Sequence, residues 1–261
     1  MDSNAGSHAF ITGGASGIGL GIADALAARG VRITLADAND ETLAEVLAAR
    51  KASQQWRGVV LDVRDRDGWA RARSDAEAEF GPVDILVNNA GIAPNGQAFA
   101  DMDPASFDRI IAINLTGVFN GVHAFAAAMR ARGRGHIVNT ASMAGLMSSG
   151  AGTGAYSAAK FGVVSISEML RGELAEHGVG VSVLCPGYVQ TGLAANTARL
   201  GGETRGGNVA MPPSDISPDQ IGAMVVNAIE ADQLYIISHP QHWDGVERRI
   251  RDLSAAFGQS L

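Results

Sequence analysis

Tyr156 and Lys160 stand four residues apart in Tyr-Ser-Ala-Ala-Lys, at the start of a long helical pattern. Residues i and i+4 share one helix face. An ammonium beside a phenol favours the phenolate and lowers its pKa from about 10, which brings the phenol closer to use as an acid/base near neutral pH. Ser142 precedes Tyr156 by fourteen residues and closes an apolar run. At the end of a strand it would meet the helix start and hydrogen-bond a substrate oxygen. Asn114 sits among apolar neighbours in Ile113-Asn114-Leu115, where surface solvation explains an amide poorly. There it can hold a water that links Lys160 to solvent. Each residue also has a plainer reading: most Tyr–Lys pairs at this spacing are helix surface, and most such asparagines are paired core amides.

A second group could bind a dinucleotide. Gly13-Gly14-Ala15-Ser16-Gly17-Ile18-Gly19 follows one short strand pattern and opens a helix. Gly13 permits the tight turn, Gly17 admits a pyrophosphate, and Gly19 lets helix pack on strand. The free N–H groups of the helix start attract phosphate. Asp37, about 20 residues on, accepts both ribose hydroxyls and repels a 2′-phosphate, which favours NAD over NADP. Asp62 and Val63 end a third strand; Asp62 can accept from an adenine amino group. Asn89, Ala90 and Gly91 follow a fourth and leave room for a ribose. Turn or cap chemistry is the alternative for each.

These residues need a scaffold that gathers strand ends. Seven β-branched runs alternate with helical patterns: His8–Thr12, Arg32–Asp37, Val59–Asp62, Ile85–Asn88, His136–Thr140, Val181–Cys185 and Leu234–Ser238. They are apolar throughout, as strands covered on both faces are. The helices are expected at Ile18–Arg29, Asp40–Ala52, Arg66–Phe80, Pro104–Arg132, Tyr156–His177, Pro218–Asp232 and Asp244–Phe257. The pattern predicts an α/β fold: a doubly wound, seven-stranded parallel sheet with right-handed crossovers, in one domain over 1–261. The Gly-rich stretch 190–213 is expected to be a mobile substrate lid outside the core.

Composition narrows the function classes. A net charge of −7 over 261 residues argues against nucleic-acid backbones. With no run of about 18 apolar residues, no membrane span is expected, and the start MDSNAGSHAFIT lacks the basic region of a secretory signal. A single cysteine, Cys185, leaves no internal disulfide, and no metal site is expected. A cytoplasmic protein follows as the expectation. Seventeen of the 33 glycines fall in Gly13–Gly21, Gly133–Gly154 and Gly187–Gly207. The excess thus marks the phosphate loop, the approach to Tyr156 and the expected lid.

With these motifs in hand, the chain resembles the short-chain dehydrogenase/reductases of the single-domain kind. The resemblance rests on Thr12–Gly19, Asn88-Asn-Ala-Gly91, Asn114, Ser142, Tyr156–Lys160, and Pro186-Gly187 with Thr191. It implies Tyr156 as general acid/base, with Lys160 lowering its pKa and holding the nicotinamide ribose. It also implies that Ser142 orients the substrate oxygen and Asn114 supports a proton relay. Pro186, Gly187, Val189 and Thr191 then border the nicotinamide, Val189 through its backbone. A homodimer or homotetramer with the Asn114 and Tyr156 helices at one interface is implied too. The ending Leu234-Tyr-Ile-Ile-Ser-His-Pro240, then Trp243 and a charged helix, departs from the commonest members. It looks like the bulky and aryl alcohol dehydrogenases that include the Cα-dehydrogenases of lignin-derived ethers.

The expected reaction is therefore hydride exchange between a secondary alcohol or ketone and NAD. Met143, Leu146, Met147, Tyr188 and Leu193 are the expected substrate wall: apolar, with no arginine for a carboxylate. Small residues from Ser148 to Ala155 suggest room. The methionines could instead fill core; His239, His242 and Trp243 could edge the pocket, with the surface as the expected placement. Alternatives are an NADP-dependent ketone reductase, a non-catalytic NAD-sensing protein, or an epimerase. An epimerase is usually longer, with a separate substrate domain.

Overall fold

A computed structural model describes residues 6–50, 53–148, 150–202 and 215–259. Seven strands form one parallel sheet in the order β3-β2-β1-β4-β5-β6-β7. They are β1 (His8–Thr12), β2 (Arg32–Asp37), β3 (Trp56–Val60), β4 (Ile85–Asn88), β5 (Gly135–Thr140), β6 (Val179–Cys185) and β7 (Tyr235–Ile237). The order reverses direction at β1, between β2 and β4. That switch point opens a crevice at the carboxyl ends of the strands, the place where open α/β sheets bind ligands.

Helices cover both faces. On one face α3 (Arg66–Phe80), α4 (Pro104–Ile111), α5 (Gly117–Arg132) and α6 (Gly154–Ala175) bury Trp69, Ile110, Phe125 and Leu170 against Phe10, Leu86 and Ile137. On the other, α1 (Gly17–Ala27), α2 (Asp40–Ala48) and α8 (Pro218–Glu230) bury Ile22, Leu43 and Val225 against Ile11, Ile33 and Val138. Two-sided burial is why these strands read as continuous apolar runs. α1 and α8 meet backbone to backbone: a Cβ at Gly222 would lie 2.2 Å from the Gly21 carbonyl oxygen. The short α7 (Leu193–Arg199) and the 14-residue α9 (Trp243–Ala256) lie outside this frame.

Several expected boundaries move. β3 spans Trp56–Val60, so Asp62 lies two residues beyond the strand rather than at its end. Its register pairs Ile33 with Trp56 and Asp37 with Val60. As an edge strand it carries Arg57 and a half-buried Trp56, which disguise it as a loop. The expected single helix Pro104–Arg132 is interrupted by a π-helical turn, Ala112–Thr116, centred on Asn114. Such turns favour functional sites. That stretch is long and apolar enough to cross a bilayer by length and composition alone, a test that core helices also pass, and half of its most apolar window is buried in the fold. It serves as a core helix.

Part of the expected lid, residues 190–202, is described. Residues 203–213 of it lie outside the described residues, but α7 is docked. Thr197 is fully buried; its hydroxyl accepts from Ala93 N at 2.9 Å and donates to the Leu193 carbonyl at 2.7 Å. Asn196 Nδ2 donates to Ser16 Oγ at 3.2 Å, and Leu200 packs on the core. A small-residue composition had concealed these polar anchors.

Candidate active site

The sheet switch point and the glycine loop build the first half of the site. Ser16, at the start of α1, does not cap the helix with its side chain, and no acid sits in the first turn. The first backbone N–H groups are therefore available to an anion. Gly13 and Gly17 hold φ of +60° and +51°, where an L side chain is strained. A Cβ at Gly17 would meet Thr191 Cβ at 2.9 Å, and one at Gly19 would lie 2.3 Å from the Gly13 carbonyl oxygen. The loop is a cradle that side chains would fill. Ile18, half-buried, packs behind it against the α1 core.

Asp37 ends β2 beside this loop. Its Oδ2 accepts from Ala15 N at 3.1 Å and its Oδ1 from Asn39 N at 3.0 Å, so both oxygens are fixed by main chain. Gly13, Asp37, Asp62, Val63, Ala90 and Gly91 share one slot, as the sequence pattern anticipates. The opposite wall is Asn196, Arg199 and Leu200 of the α7 segment, which sequence reasoning missed because no local motif marks them. Asp62 differs from expectation. Arg64 holds both its oxygens (Nη2 to Oδ2 at 2.6 Å, Nε to Oδ1 at 2.9 Å) and keeps its carboxyl below the usual range. An adenine amino group would share that acid with an arginine. Asn89 is half structural: its Nδ2 donates to the Thr12 carbonyl at 3.1 Å, pinning β4 to β1.

The second half gathers at the ends of β5 and β6. Ser142 follows β5 in extended backbone; its Oγ accepts from Ala144 N at 3.1 Å, donates to the Pro186 carbonyl at 3.4 Å, and sits close enough to the Tyr156 phenol, across the fourteen-residue gap, to favour its ionised form. Lys160, one turn along α6, is buried; its Nζ donates to the Thr140 carbonyl at 2.8 Å and lies 5.6 Å from the Tyr156 ring centre. Burial brings its pKa down to about 8. Burial pushes the Tyr156 phenol up, and the nearby Ser142 hydroxyl pulls it partly back. The Lys160 ammonium points at a main-chain carbonyl rather than at the Tyr156 hydroxyl. Asn114 is wholly buried in its π turn. Its Oδ1 accepts from Ile92 N at 2.8 Å and its Nδ2 donates to the Ile92 carbonyl at 3.0 Å. A Cβ at Gly91 would fall 2.9 Å from Asn114 Oδ1 and 3.7 Å from Lys160 Nζ, which brings the three residues together.

Beyond β6, the Pro186 carbonyl accepts from Met143 N at 2.9 Å, which ties the Ser142 turn to the Pro186-Gly187 turn. Gly187 N donates to His239 Nδ1 at 3.1 Å, and the His239 ring lies against the Gly187 backbone. His239 is 5% exposed, not a surface residue as expected. Val189 is buried in the α1-side core, and Thr191 stands over Gly17.

The substrate wall divides. Tyr188 is 37% exposed and Leu193 is half-buried at the mouth. Met143, Leu146 and Met147 instead point away, into a cluster with Val163, Val183 and Ile237. The core-filling reading holds for Met143, at 5% exposure. The small residues before Tyr156 serve close backbone approach more than room: a Cβ at Gly152 would meet the Gly96 carbonyl oxygen at 2.7 Å.

Comparison with known proteins places this geometry in context. Residues 7–200 match the short chain dehydrogenase family. The chain is 35% identical over 260 residues to the C alpha-dehydrogenase of Sphingobium sp. (strain NBRC 103272 / SYK-6), covering 93% of this chain and 84% of that one. It superposes on a short chain dehydrogenase/reductase from Burkholderia phymatum in complex with NAD with a TM-score of 0.87, at 31% identity over 100% of this chain and 97% of that one. A metagenomic short-chain oxidoreductase in complex with NADP gives a TM-score of 0.71 at 33% identity, over 90% and 96% of the two chains. The likeness to the C alpha-dehydrogenase extends past the family motifs into the C-terminal quarter, as its ending suggested.

Proposed function

Because the chain belongs to the short chain dehydrogenase family, we propose that it is an NAD-dependent alcohol dehydrogenase that interconverts a secondary alcohol and a ketone bearing a bulky apolar or aryl group. The observation that carries this reading is the meeting of Ser142 and Tyr156, with Lys160 one turn behind, on the same sheet edge as the glycine cradle and Asp37.

The donor set fits a dinucleotide. Gly13, Ser16, Gly17 and Gly19 would hold the pyrophosphate at the α1 start. Asp37 would take the ribose hydroxyls on the lone pairs that Ala15 and Asn39 leave free. Val63, Ala90 and Gly91 would flank the adenosine, and Gly187, Val189 and Thr191 the nicotinamide. When bound, NAD supplies the carbon that accepts or returns the hydride.

The chain's own residues handle the proton. In the oxidation direction Tyr156 Oη removes the alcohol proton; in reduction it gives that proton to the alkoxide. A phenol held protonated by burial is suited to the second role, and the Ser142 hydroxyl beside it favours the phenolate needed for the first. Ser142 Oγ donates to the reacting oxygen, where charge changes most. Lys160, with its pKa near 8, exchanges protons within reach of Asn114. The exposed side chains of Phe119 on α5 and Met169 on α6, 48% and 62% accessible, support self-association through that face.

One observation favours a second reading, NADP dependence: Arg199 lines the slot with Asp37 and Asn39, where a guanidinium would pair with a 2′-phosphate. A steady-state screen of both cofactors against aliphatic, aryl and steroid alcohols tests the proposal. NAD turnover on bulky secondary alcohols, abolished in Tyr156→Phe, is expected. Retained turnover in that variant removes the acid/base role, and a higher kcat/KM with NADP transfers the assignment to the second reading.

A further inference from the structure

Behind the active site lies a half-open cavity of about 870 Å³ that the proposed reaction does not use. α6, β7 and α9 enclose it. Neither Ser142 nor Tyr156 lines it; the turn that follows Ser142 is its inner wall. Its surface is mainly apolar, including Leu146, Phe161, Trp243 and Val246. That volume lies within the range for sites that bury small organic ligands, and such sites pair an apolar lining with a few placed polar groups.

The polar groups at this cavity are not equivalent. Glu168 is engaged by the Tyr235 hydroxyl. Two residues beyond Arg249, Arg251 is paired with Glu247 at 3.0 Å. Arg249 has no carboxylate partner among the described residues; its guanidinium stacks over the Phe161 ring at 4.9 Å. Stacking orients the planar fork and leaves its N–H edge open for a bidentate anion. Phe161 and Glu168 are seven residues apart on α6, roughly 10 Å along the helix. A carboxylate at the Arg249 end therefore keeps about a Debye length from the one acid in the lining.

We propose that this cavity is a second ligand site, which takes an apolar carboxylate. The hydrocarbon body would lie between Leu146, Trp243 and Val246, and the carboxylate would pair with Arg249. Occupancy would bear on the turn that carries Ser142. The proposal stands apart from the assigned reaction, since no residue it uses touches the proposed cofactor or the reacting oxygen.

Isothermal titration of the full-length protein with 2-naphthoate, and with its neutral amide, tests it. Saturable binding of the acid is expected, at least tenfold tighter than the amide. Arg249→Gln is expected to erase that difference, and Val246→Trp, which fills the cavity, to abolish binding of both. Tyr156→Phe should leave all three results unchanged, so failure of the catalytic assignment would not touch this one. Equal affinity for acid and amide in the unmodified protein overturns the proposal. So does displacement of 2-naphthoate by NADH or by a turned-over alcohol, which would make the cavity the far end of the catalytic cleft.

Discussion

His136 gives the sharpest quantitative prediction. It is the second residue of β5, buried in the sheet, with Nε2 2.8 Å from Ser182 Oγ, and burial brings its pKa from 6.5 down to about 4. The native protein thus holds the ring neutral across a range in which the unfolded chain protonates it. The unfolded state binds more protons there, so stability rises with pH and is lost as pH falls from about 6.5 toward 4. That gap corresponds to roughly 3 kcal/mol in full, of which about 2 kcal/mol is lost between pH 7 and pH 5. His8, also lowered by burial, adds in the same direction. Urea unfolding at pH 7 and pH 5 measures the sum, and the same pair of curves for His136→Asn isolates one residue. The variant starts less stable, but its loss between the two pH values should be smaller by about 2 kcal/mol. An equal loss in both proteins would refute the argument, because the titrating group would then lie elsewhere.

Three further outcomes follow from the site and frame. Gly19→Ala sets a Cβ 2.3 Å from the Gly13 carbonyl oxygen and closes the cradle; NADH fluorescence titration should show at least a tenfold weaker complex. Asp37→Ala removes the acceptor of the ribose hydroxyls and the charge that opposes a 2′-phosphate. The NAD-to-NADP ratio of kcat/KM should fall by about tenfold or more, since a charged hydrogen bond contributes about 1.5–3 kcal/mol. Gly222→Ala drives a methyl into the Gly21 backbone where α1 meets α8, and should lower thermal unfolding by the equivalent of about 1–3 kcal/mol with the chemistry intact.

The sequence alone determined what depends on short spacing. Apolar runs set the strands, the glycine loop announced a strand-to-helix turn over phosphates, and four-residue spacing put Tyr156 and Lys160 on one face of α6. Alternation of the two element types then left a doubly wound sheet as the natural solution, with Asp37 at its crevice. Tertiary structure decided whatever turns on two segments meeting. It set the π turn that buries Asn114 against Ile92, and it joined Ser142 to Tyr156. It sent the Lys160 ammonium to the Thr140 carbonyl. It docked α7 through Thr197 and Asn196, turned Met143 into the core, and folded α9 over a cavity. The difference is physical. Periodicity and turn chemistry act over a few covalent bonds, and so leave a mark in composition. The direction of a buried ammonium, or of a methionine, depends on which carbonyls and side chains the rest of the chain delivers to it.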